Sequence, residues 1–141
     1  MDMTHQIWIS AEPFQVYKAL STQEGFSSWW TTDVVGVFKK GETFTFGFDE
    51  HTYWMQFRVI EFQKDLKVVL ECVDADISSK NDWKDTLLTF YLRKEGEVTV
   101  VELTHSGWKK DSPVFSLCNT TWGHLMFSLK NYVEKGTGNP M

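Results

Sequence analysis

His105 is the side chain in this chain best suited to proton transfer. It ends an alternating stretch, Val98 to His105, on the parity of Thr99, Val101 and Leu103, and Ser106-Gly107-Trp108 follows it. An imidazole titrates near neutral pH, so such a residue could act as general acid or base. The sequence places no nucleophile and no second base beside it. The reading adopted is therefore structural: the ring hydrogen-bonds a neighbouring loop and fixes the turn out of the last strand. His5, His51, His105 and His124, with Cys72 and Cys118, show no H-x-x-x-H or C-x-x-C spacing, so no metal site is expected. His124 is expected at the margin or surface of a helix. G-x-S-x-G, phosphate-loop and dinucleotide-binding glycine patterns are also missing, and no cofactor is expected.

The second kind of chemistry on offer is apolar binding. Phe44, Phe46 and Phe48 alternate on one face of a strand. Tyr53, Met55 and Phe57 do so on the next, and Leu88 and Phe90 on a later one. Such stripes are ordinarily core. They could also line a cavity for a small hydrophobic or lipid-like ligand, with Phe115, Cys118, Trp122 and Met126 looking back from a helix. Cys72, His105 and Trp108 complete the candidate lining. Trp29 and Trp30 either plug the core or form a lid at a cavity mouth. On the cavity reading, Phe46→Ala or Trp122→Ala should alter binding.

Placing these side chains takes one long helix and a sheet. Ser112 to Glu134 carries apolar residues at steps of three and four, including Trp122, Leu125, Met126 and Leu129. Ser112 suits an N-cap, Pro113 the first helical position, and Gly136 a left-handed C-terminal stop. Strands are expected at Thr4 to Ile9, Val34 to Phe38, Thr43 to Phe48, Thr52 to Phe62, Leu66 to Asp74, Trp83 to Arg93 and Val98 to His105. A parity change after Val59 predicts a bulge. Asp76 to Asp82 reads as a polar loop. Pro13 to Leu20 reads as a short helix, and Ser21 with Glu24 forms a capping box for a second one ending near Trp29. Arg58, Glu61, Glu71, Asp85 and Glu102 lie within strands and belong on a solvated face. The order implies an α+β fold: a curved antiparallel sheet of six or seven strands gripping a long C-terminal helix, with two short helices after the first strand.

The chain's 141 residues fit one domain, 1–141, with a loose tail at 137–141. A net charge of −5 and the lack of any Lys/Arg cluster argue against nucleic acid as partner. No apolar run reaches the roughly 18 residues that span a bilayer. The first residues lack a signal peptide's basic and apolar regions, so a cytoplasmic location with reduced thiols is expected.

Several stretches resemble one family. They are Ile9 to Ser21, the Trp29-Trp30 pair, Gly41 to Phe46, Leu103 to Trp108 (L-T-H-S-G-W) and Trp122 to Gly136 (W-G-H-L-M-F-S-L-K-N-Y-V-E-K-G). Together they are similar to the helix-grip SRPBCC superfamily of START and birch-pollen-allergen-like proteins. The branch is the one named after the activator of the heat-shock protein 90 ATPase. The resemblance implies the fold and a cavity between sheet and helix; a monomer or weak dimer is the expected state. It leaves three roles open. The first is a carrier of a small apolar ligand. The second is a stress-response module with a chaperone partner. The third is a cyclase or hydrolase using His105 with Tyr53 or a carboxylate.

Overall fold

Alternation of apolar and polar residues along the chain builds the sheet. In the computed structural model, which describes residues 2–77 and 79–141, seven strands form one antiparallel sheet in the order β1-β7-β6-β5-β4-β3-β2. The strands are β1 (Met3–Ile9), β2 (Asp33–Gly36), β3 (Thr43–Phe48), β4 (Tyr53–Gln63), β5 (Lys67–Asp76), β6 (Leu87–Glu95) and β7 (Val98–Ser106). Helices α1 (Pro13–Ala19) and α2 (Gln23–Trp29) follow β1, and α3 (Phe115–Lys135) closes the order. From β2 to β7 each strand pairs with the next, and β1 returns to pair with β7. Of the expected Asp76–Asp82 loop, Ser78 lies outside the described residues, as does Met1.

Parity sorts the sheet's two faces. Phe44, Phe46, Phe57, Leu70, Leu88, Phe90, Val101 and Leu103 are buried on the concave side under α3. On the convex side lie the cross-strand ion pairs Arg58–Glu71, Lys67–Glu61 and Arg93–Glu102. Exposed pairs of this kind contribute about 0–1 kcal/mol each, so they serve solubility more than stability. The predicted irregularity is present: the β4–β5 register shifts between Val59 and Glu61, and again between Gln56 and Phe57.

Four local expectations need correction. Ser21 does not cap α2, because its hydroxyl turns back to Tyr17 O at 2.7 Å and finishes α1. Thr22 is the N-cap, extended in backbone and accepting from the Gly25 amide at 3.0 Å. Ser112 does not cap α3 either. Its hydroxyl donates to Asp82 Oδ2 at 2.7 Å, and the helix begins at Phe115 behind Val114. Trp83 to Thr86 form a turn, so β6 starts only at Leu87.

The tail is the fourth correction. Gly136 adopts a φ of +84°, reverses the chain, and sends the last residues back against the helices. Asn139 N donates to Ser128 Oγ at 2.6 Å, and Met141 N donates to Trp30 O at 2.8 Å. Ser128 is buried and itself donates to Trp29 O at 2.7 Å, so one hydroxyl joins α3, the end of α2 and the tail. Gly138 is what lets the chain approach. A Cβ there would stand 2.5 Å from Ser28 O and 3.0 Å from Ser128 O.

α3 packs along β1 and against α1 and α2. Lys130 donates to the Trp8 carbonyl, and Glu134 accepts from the Ser10 amide at 2.7 Å. The helix is thus fastened on the β1 side of the sheet. Its N-terminal half stands apart from β3 and β4, and that gap is where a site can form.

Candidate functional site

The interior has a filled half and an open half. Phe26 anchors the filled half, with ring centroids 5.1 Å from Phe46, 5.6 Å from Phe44 and 5.8 Å from Trp29. Phe57 lies 5.3 Å from Phe46 and Phe90 lies 6.5 Å from Trp29, which continues the network. Such aromatic pairs add about 0.5–1.5 kcal/mol each beyond area burial, so this half is cohesive and leaves no room for a guest.

The open half is a cleft of about 160 Å³ between α3 and the β3–β4 hairpin. Phe48, Tyr53 and Met55 line it from the hairpin, and Ile77 and Trp83 from the β5–β6 connection. α3 supplies Leu117, Cys118, Thr121, Trp122 and Leu125, while Trp30 and Met141 complete the wall. Three indoles meet there, with centroids 4.9 Å apart for Trp30–Trp122, 6.2 Å for Trp83–Trp122 and 6.4 Å for Trp30–Trp83.

The turn at the hairpin tip is unusual. Asp49, Glu50 and His51 hold φ of 51°, 55° and 67°, three successive non-glycine residues in the left-handed region. Such backbone costs free energy and persists only where neighbours hold it. Here His51 Nδ1 lies 2.7 Å from Asp33 Oδ2, tying the turn to β2. The pair lies directly over Gly47, where a Cβ would stand 1.9 Å from that carboxylate oxygen.

The sequence-derived candidates divide between the two halves. Trp30, Phe48, Tyr53, Met55, Cys118 and Trp122 line the cleft. Trp29, Phe44, Phe46, Phe57, Cys72, Leu88, Phe90, Trp108 and Met126 are buried in packed core, with Phe115 half-buried against Trp108 at 5.6 Å. Trp29 and Trp30 are plug rather than lid, at 0% and 1% exposed. Burial pushes the Cys72 thiol up to about 12, so it stays protonated. Reasoning from sequence missed Ile77, Trp83, Leu117, Thr121, Leu125 and Met141 as lining. Leu125 alone carried a signal, its place on the apolar stripe of the helix.

His105 is not at the cleft. It is 0% exposed, with ring centroids 4.5 Å from both Trp83 and Trp108. An indole can only donate, so the Trp122 Nε1–H bond to Nδ1 at 3.1 Å fixes the tautomer. The imidazole proton therefore sits on Nε2 and is donated to Thr86 Oγ1 at 2.9 Å. Thr86 passes its own hydroxyl proton to Trp83 O at 2.6 Å. Burial pushes the imidazole down to about 3. Both nitrogens are engaged and no solvent path reaches the ring, so an acid–base role for His105 has no geometry here. Instead of fixing the turn after the last strand, the ring ties α3 to the sheet and to the Trp83 turn.

Residues 10–134 match the family model described as activator of Hsp90 ATPase homolog 1-like protein. The chain belongs to that family. Among solved structures, the solution structure of the Aha1 dimer from Colwellia psychrerythraea is 30% identical. The alignment covers 98% of this chain and 99% of that one, with a TM-score of 0.85. Protein SSP2350 from Staphylococcus saprophyticus is 16% identical over 99% of this chain and 96% of its own, with a TM-score of 0.77. DynU16, from the dynemicin biosynthetic locus, is 12% identical over 97% of this chain and 48% of its own, at 0.81. The last two likenesses concern the fold alone. No curated protein matches the chain. Among the described residues no cluster of metal-ligating side chains occurs, and no helix is long and apolar enough to cross a membrane.

Proposed function

We propose that the chain binds a small ring-shaped apolar molecule in the cleft between α3 and the β3–β4 hairpin. The observation that carries this reading is the cleft itself: about 160 Å³, open at one side and walled by aromatic and sulfur-bearing side chains. For scale, an apolar cavity of about 150 Å³ takes up benzene. One or two fused rings suit such a volume, with any substituent left at the mouth. Met55, Met141 and Cys118 are soft enough to adjust to the shape of the guest. Two free cysteines fit a reducing, cytoplasmic setting.

Titration with a two-ring aromatic, followed by quenching of the cleft tryptophans, tests the reading. Saturable binding in the micromolar range is expected. Thr121→Trp puts a large ring into the lining from the half-exposed side of α3 and should weaken binding at least about tenfold with little loss of stability. Unchanged binding in that variant would move the guest elsewhere on the protein.

A second reading concerns α3's outer surface. Leu117 is 67% exposed and Phe127 63%, with Met141 beside them at 63%. The Colwellia psychrerythraea relative was solved as a dimer. Weak pairing of two copies through this surface, or a chaperone partner seated on it, accounts for apolar side chains left in water. Light scattering across a concentration series should show a mass rising toward twice the monomer, and Phe127→Glu should return it to one. A constant monomer mass in the native chain would remove the pairing.

A further inference from the structure

We infer that the cleft selects by charge, taking aromatic ammonium ions in preference to aromatic carboxylates of the same shape. This rests on the binding reading above and adds a ligand class to it. Among the described residues no Lys, Arg or His lines the cleft, so a carboxylate held at its mouth by a bound ring would give up part of its water and meet no counter-charge. The cleft's polar lining groups are the Tyr53 and Thr121 hydroxyls and the Cys118 thiol, none of them a cation. Thr121 Oγ1 is already spent on Leu117 O at 3.0 Å, and the Cys118 sulfur already accepts from Trp83 Nε1 at 3.2 Å.

The walls favour the opposite sign. Trp30, Trp83 and Trp122 stand within 6.4 Å of one another, and the negative faces of indoles attract cations. The nearby carboxylates point the same way. Asp82 precedes Trp83 and is held by the Ser112 hydroxyl at 2.7 Å. It is close enough to act on the Cys118 thiol, which burial raises, the Trp83 hydrogen bond lowers in part, and that carboxylate raises again. Asp49 and Glu50 form the turn that joins Phe48 to Tyr53. Lys80 and Asp82 both face an adjoining hollow rather than the cleft itself, and of the two it is Asp82 whose charge acts on the cleft-lining Cys118 thiol.

The test uses three guests with one naphthalene body: the neutral methanol, the methyl-trimethylammonium and the carboxylate, compared by calorimetry at low salt. The ammonium is expected to bind at least about tenfold tighter than the carboxylate, with the neutral compound between them. Asp82→Asn keeps an acceptor for Ser112 and should shrink that ratio without changing the neutral compound's affinity. If the neutral compound binds and the ratio is smaller than tenfold, charge selection is overturned while the binding reading stands. If none of the three binds, both fall. Loss of all three in Thr121→Trp would place them in the cleft; retention would remove the site on which the selection depends.

Discussion

Lowering the pH from 6.5 to 5 should destabilise the protein by about 2 kcal/mol through His105 alone. The sign follows from the two states. In the unfolded chain this imidazole takes up a proton near its ordinary value of 6.5, whereas in the folded chain burial delays that to about 3. Between those values the unfolded state holds one more proton than the folded one, so stability rises with pH. The contribution is complete above pH 6.5 and is lost progressively as pH falls toward 3, on the order of 4–5 kcal/mol in all. Protonation at Nδ1 would also turn it from acceptor to donor, facing the Trp122 N–H that now points at it from 3.1 Å. Urea unfolding at a series of pH values, read by tryptophan fluorescence, measures the slope. His105→Gln can keep an acceptor for Trp122 and a donor for Thr86 without titrating. It should be somewhat less stable at pH 7.5 and nearly flat from pH 7 to 5, a range above the titration of most carboxylates. Glu102 lies lower still, held below the usual range by the hydrogen bond from Arg93. Parallel pH slopes in the native protein and the variant would show that the folded imidazole titrates normally.

What could be read from the chain differs between fold and site. Strand parity depends on neighbours two residues apart, and it put Phe44, Phe46, Leu88, Phe90 and His105 on the buried face. The helix stripe depends on neighbours three and four apart, and it placed Trp122, Leu125, Met126 and Leu129 inside. Neither period says how far along its length a helix stays in contact with a sheet. That is decided by fastenings at the other end, such as Glu134 on Ser10 and Lys130 on Trp8, which are more than a hundred residues apart in sequence. Phe46 and Phe48 share a parity, yet one is sealed in core and the other faces the cleft. Polar partners were equally hidden. Ser112 reads as a cap until Asp82 is seen to claim its hydroxyl. The residues 137–141 read as loose because their anchors, Ser128 and Trp30, lie on other elements.

The division into filled and open halves gives the second large effect, a contrast between two truncations. Phe46→Ala and Trp122→Ala each remove a ring that is at most 1% exposed, and each should cost about 3–5 kcal/mol. Trp122→Ala should be the worse, because it also leaves His105 Nδ1 buried without a donor, at about 1–3 kcal/mol more. Binding separates them further. Phe46 packs against Trp30 at 4.6 Å and Phe26 at 5.1 Å and does not line the cleft, so its loss should leave guest affinity within a few-fold, measured where the variant is folded. Trp122 forms part of the wall. Its loss should enlarge the cleft and shift preference from two-ring to three-ring guests. Chemical denaturation and a titration series of one-, two- and three-ring aromatics measure both. Equal changes in guest preference would mean that Phe46 also borders the guest and that the filled half is not closed. A smaller stability loss for Trp122→Ala than for Phe46→Ala would mean that the His105–Trp122 bond holds little of the helix to the sheet.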